Sequence, residues 1–98
     1  MSDYSKLDRY LESHLDGSIG ELSTLCAQPS VAAQNWGLKE CAALVAGMLE
    51  QRGFTIKIMS TDGAPVVFAE RKGRSEKTLL FYNHYDVQPA EPLDLWLS

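Results

Sequence analysis

Thr78-Leu79-Leu80-Phe81-Tyr82 runs without a break into Asn83-His84-Tyr85-Asp86-Val87-Gln88-Pro89. The first five residues carry no charge and are apolar on both faces of an extended chain, as expected of an interior strand covered from both sides. Such a strand needs neighbours on both edges and a layer on each face, which points to an α/β arrangement. The polar cluster that follows stands where side chains leave a sheet. Sites in α/β sheets gather at these carboxyl ends, where neighbouring loops converge.

Upstream, a charged loop at residues 72–77 precedes this strand. Phe54-Thr55-Ile56-Lys57-Ile58 alternates apolar and polar, the mark of a strand with one wet face. Thr61-Asp62-Gly63-Ala64 has turn chemistry and leads into a second strand at residues 65–70, so a hairpin is expected. Before it, a helix is expected over residues 36–52, with Leu38, Cys41, Leu44, Val45, Met48 and Leu49 inward. Gly53 follows where a left-handed residue belongs.

A first helix is expected over residues 3–26, with Tyr4, Leu7, Leu11, Leu15, Ile19, Leu22 and Cys26 on one face. Ser5 with Asp8 is its start signal and Pro29 stops it. Gly17 and Gly20 weaken its middle. Ser18 with Glu21 has the pattern of a capping box, which leaves open one helix or two shorter ones. Residues 30–35 read as a short polar connection.

The chain has 98 residues, enough for one small domain with a modest core. Hydrophobic residues make up 45% and charged ones 22%, a globular rather than disordered composition. A net charge of -4 and a pI near 5.0 argue against a nucleic-acid partner. Arg71, Lys72, Arg74 and Lys77, interrupted by Glu76, read as a solvated loop. Met1-Ser2-Asp3-Tyr4 has neither the basic nor the apolar region of a secretory leader. No apolar run reaches the roughly 20 residues that span a bilayer, so no membrane partner is expected. Cys26 and Cys41 lack C-x-x-C spacing and read as buried free thiols, which fits a cytoplasmic location.

The chemistry concentrates at His84 and Asp86. If the extended conformation persists, both point to one side and Tyr85 to the other. A histidine there is placed to bind a metal, and the carboxylate two residues on can accept a hydrogen bond from its other ring nitrogen. H-x-D by itself is more often a satisfied polar pair. Its position after an interior strand and before Pro89 is what favours the metal reading. Other candidates read as structural: His14 lone on a helix, the two cysteines as packed thiols, and Asp3, Asp8, Glu12 and Asp16 as a solvated face. Tyr82 and Tyr85 read as core and pocket-wall residues, and Trp96 as cleft rim or plain packing.

The stretch from Leu79 to Pro89 resembles the strand and first metal motif of the zinc-dependent aminoacylases, carboxypeptidase G-like enzymes and carnosinase-like dipeptidases. The preceding order of two helices and a hairpin is similar to that family's opening, as is Gln28-Pro29-Ser30-Val31 to the link between its first helices. Tyr85, Gln88 and the stretch from Ala90 to Trp96 look like the dipeptidase branch. Acetylornithine and succinyl-diaminopimelate deacylases commonly show Thr and Val instead. The family usually has Gly before this histidine, whereas this chain has Asn83.

The resemblance implies that His84 ligates one of two zinc ions and that Asp86 is the catalytic-site carboxylate that holds its ring. The implied fold is α/β: two N-terminal helices, a hairpin and an interior strand of a mixed-sheet, three-layer zinc-peptidase catalytic domain. Residues 1–98 would be its N-terminal part, without the lid or dimerisation domain and the C-terminal half. A catalytic zinc site needs about three protein ligands, and the chain offers one strong candidate. The expectation is therefore a piece of a two-zinc metallopeptidase, inactive alone. Its partners would be the remainder of the catalytic domain, a dipeptide or short amide substrate, and a second copy in a homodimer. The exposed interior strand and the apolar tail at residues 93–97 suit that expectation. An N-acyl amino acid deacylase of the same family is the nearer alternative. A small non-catalytic α/β binding module is the alternative of another class.

Overall fold

The computed structural model describes residues 3–97. Met1 and Ser2, part of the start read for a leader, and Ser98 lie outside the described residues. Helix α1 spans Ser5–Ala27 and helix α2 spans Leu38–Gln51. Strands β1, Thr55–Met59, and β2, Val66–Glu70, form an antiparallel hairpin, and a long extended segment follows. The class is α/β, and the two helices and the hairpin come in the order expected from the sequence.

α1 begins where the Asp3 carboxylate accepts the Ser5 amide at 2.9 Å, a bond that holds the Asp3 carboxyl below its ordinary pKa. The helix continues unbroken through Gly17 and Gly20. The expected alternative of two helices is not realised, because Glu21 does not turn back to Ser18. Its carboxylate instead takes the Arg52 guanidinium at the end of α2, and Arg52 also donates to the Met48 carbonyl at 2.7 Å. This pair ties α1 to α2. No residue of α1 is buried, and Leu7, Leu11, Leu15, Ile19 and Leu22 are all more than half exposed. Cys26 is exposed as well, against the expectation of a packed thiol, because nothing among the described residues covers that face.

The connection between the helices is more ordered than a polar loop. Val31 and Trp36 exchange backbone hydrogen bonds at 2.8 and 3.1 Å, closing a short 3-10 turn at Ala32–Gln34. Asn35 and Gly37 both adopt left-handed conformations, φ 48° and 73°. Only glycine suits position 37, since an added Cβ would lie 2.0 Å from the Pro29 carbonyl oxygen. The close approach buries Ser30 and Val31 beside Leu38.

The core is small: Val31, Leu38, Cys41, Ala42 and Ala46 are buried, and α2 packs on both strands. Leu44, Val45, Met48 and Leu49, expected inward, are half-buried, while the small Ala42 and Ala46 are buried. Gly53 takes φ 87° after α2, as expected. The hairpin register pairs Ile56 with Ala69 and Ile58 with Val67. In the turn, the Thr61 hydroxyl donates to the Ala64 carbonyl at 2.7 Å and accepts the Gly63 amide at 3.0 Å. Arg71 closes the far end by donating to the Arg52 carbonyl at 2.9 Å.

The expected interior strand is not formed. Residues 78–82 pair with no strand, and Leu79, Leu80, Phe81 and Tyr82 are between 76% and 92% exposed. A strand of this kind is made by its neighbours, and the hairpin pairs only with itself. Tyr82 is accordingly no core residue here. Leu93–Leu95 forms a 3-10 turn, and Trp96 is exposed on it.

Candidate metal centre

The polar cluster after residue 82 stays largely exposed and meets the scaffold through Tyr85 and Val87. The Val87 amide donates to the Ser30 carbonyl at 2.8 Å, joining this segment to the connection before α2. The Tyr85 hydroxyl donates to the Pro65 carbonyl just before β2. The Cys41 thiol also approaches the Tyr85 carbonyl at 3.9 Å, a weak contact. Tyr85 is thus half-buried against the hairpin, and its burial raises the pKa of its hydroxyl. The expected alternation is present: Tyr85 turns inward and the His84 side chain, 82% exposed, turns outward.

His84 Nδ1 lies 3.1 Å from a carboxylate oxygen of Asp86 and 3.0 Å from the Asp86 carbonyl oxygen. Both partners accept, so the neutral ring carries its proton on Nδ1. The Nε2 lone pair is then directed away from Asp86. This is the tautomer in which histidine binds a metal with a carboxylate behind it. The residues present therefore fit one imidazole ligand of a metal site.

They do not make a whole site. Among the described residues no three His, Cys, Asp or Glu side chains come together to hold an ion. His14 stacks on Tyr10 with ring centroids 3.9 Å apart and bonds the Tyr10 carbonyl at 2.8 Å, a local helical arrangement. Cys41 is 1% exposed in the core. Glu91, beyond the motif, accepts from the Gln34 side chain at 3.2 Å and so braces the segment against the connection. Sequence reasoning assigned Tyr85 to a pocket wall and missed its anchoring bond. The Ser30 carbonyl was also missed, since a main-chain acceptor leaves no mark in the sequence.

No family model matches the chain. Succinyl-diaminopimelate desuccinylase of Janthinobacterium sp. (strain Marseille) is 35% identical over 74 residues, which is 76% of this chain and 19% of that protein. The protein of the same name from Herminiimonas arsenicoxydans matches to the same extent. In three dimensions the chain is similar to an M20 family metallo-carboxypeptidase, Sso-CP2 from Sulfolobus solfataricus. The TM-score is 0.72 at 40% identity, over 80% of this chain and 19% of that one. The chain spans about a fifth of the length of each of these relatives. Sequence and backbone thus agree: over 76% to 80% of its length the chain is similar to hydrolases of the zinc aminoacylase and M20 metallopeptidase kind.

Proposed function

We propose that this chain is the N-terminal part of the catalytic domain of a two-zinc metallopeptidase that cleaves dipeptides or related short amides. The observation that carries the reading is the His84 ring, held at Nδ1 by Asp86 with Nε2 left for an ion. In this reading His84 is a zinc ligand and Asp86 fixes the tautomer and direction of its ring. Bound zinc would supply a Lewis acid for the scissile carbonyl and a water of lowered pKa. His84 would supply one protein ligand. The ion at His84 would need about two more protein ligands and the second ion its own set, all from outside this chain, so the chain alone is inactive. Its partner is the remainder of the catalytic domain, its compartment the cytoplasm, and the full enzyme a homodimer.

A second reading within the same chemistry is an N-acyl amino acid deacylase, favoured by the two desuccinylase relatives. Tyr85 and Gln88 favour the dipeptidase. The deciding experiment uses the protein in which this chain is joined to the rest of its catalytic domain. His84→Ala should lose zinc and activity together, and normal zinc occupancy in that variant overturns the assignment. Dipeptides and N-succinylated amino acids, offered to the parent side by side, separate the two substrate readings.

A further inference from the structure

We propose that Tyr85 and the Ser30 carbonyl form a two-point clamp that presents the His84–Asp86 pair, which makes Tyr85 a positioning residue for the imidazole. The need for a clamp follows from the surroundings. Residues 78–82 are exposed and unpaired, so among the described residues nothing on the upstream side fixes the backbone at residue 84. A hydrogen bond between two exposed side chains in a free segment competes with the entropy of both and with water. The His84–Asp86 pair persists only if the backbone between them is held.

The anchors lie where they can do this. Among the described residues, the Val87 amide to the Ser30 carbonyl is the backbone bond that ties residues 78–90 to the scaffold. The Tyr85 hydroxyl on the Pro65 carbonyl is the side-chain tie, two residues earlier. In an extended chain, a Tyr85 side chain held to the scaffold leaves the His84 side chain turned away, and the Val87 amide bond pins the backbone just beyond Asp86. The two anchor points lie in different parts of the fold, the connection before α2 and the hairpin turn just before β2. Together they set the twist of the segment as well as its distance from the scaffold.

The purpose of the clamp rests on the zinc reading, but its test does not involve metal. The full chain is studied metal-free by 15N NMR of the imidazole, at a pH where the ring is neutral. The parent should show mainly the Nδ1-protonated tautomer of His84. Its Val87 amide should exchange roughly tenfold more slowly than the Gln88 amide. Tyr85→Phe, which keeps the ring and removes the donor, should shift His84 to the tautomer mixture of a short peptide of the same local sequence. Ser30→Ala, which keeps the carbonyl, should change neither reading.

Unchanged His84 nitrogen shifts in Tyr85→Phe overturn the proposal. So does a Val87 amide that exchanges as fast as Gln88 in the parent, a measurement that stands even if the Phe variant loses its α2 and hairpin signals. Zinc retention in His84→Ala would sink the metal reading and leave the clamp standing. A tautomer indifferent to Tyr85 would do the reverse.

Discussion

The Asp86 carboxylate and the Asp86 carbonyl both face one nitrogen of His84, at 3.1 and 3.0 Å. Two acceptors from one residue leave the ring a single neutral tautomer that satisfies them. Removing the carboxylate alone keeps the carbonyl, so the ring should remain in the site but aim less well. Asp86→Ala in the complete protein should therefore weaken metal affinity by about 10–100-fold without abolishing binding. Metal titration of the apo-protein measures this, and equal affinity in both proteins refutes the role.

Gly37 makes the sharpest steric prediction. Its φ of 73° disfavours any side chain, and a Cβ would meet the Pro29 carbonyl oxygen and carbon at 2.0 and 2.6 Å. Those atoms are backbone, so relief requires moving the whole connection that carries Ser30. Gly37→Ala should cost at least about 1–3 kcal/mol from the dihedral alone. Urea unfolding gives the comparison, with Gly47→Ala as reference, since nothing lies within 4 Å of a Cβ there. An unchanged midpoint for Gly37→Ala contradicts the close packing.

Ser30 should behave in the opposite way. Its side-chain oxygen is buried with no hydrogen-bond partner, although its carbonyl is well used by Val87. A buried hydroxyl without a partner is a cost of about 1–3 kcal/mol. Ser30→Ala removes the group and keeps the backbone, so stability should hold or rise by about 1 kcal/mol. A clear fall in the unfolding midpoint would mean that the hydroxyl is bonded in solution.

Local signals were legible in the sequence wherever one element suffices to make them. The hairpin follows from alternation in residues 54–58 and the Thr61–Gly63 turn chemistry, and the end of α2 from Gly53. His84 and Asp86 were legible because an H-x-D spacing in an extended chain sets its own geometry. What depended on neighbours was not legible. Among the described residues, 78–82 have strand composition but no strand beside them, and the stripe on α1 has amphipathic spacing but stays exposed. The anchoring bond of Tyr85 was not legible for a related reason, since its partner is a main-chain carbonyl 20 residues away.

The apolar stripe of α1 gives a last test of where the stability of this chain resides. Leu38 is 7% exposed, whereas Leu11 and Leu15 are 64% and 55% exposed. Truncating a buried leucine removes its transfer energy and leaves a cavity, so Leu38→Ala should cost about 2–5 kcal/mol. Leu11→Gln and Leu15→Gln remove no packing and should each lie within about 0.5 kcal/mol of the parent. They should also reduce binding of a hydrophobic dye, because a contiguous exposed stripe is what such a dye finds. Denaturation measured alongside dye fluorescence tests both halves. If either Gln substitution costs about 2 kcal/mol or more, the stripe is covered in solution, and a concentration dependence of that cost would assign the cover to a second copy of the chain.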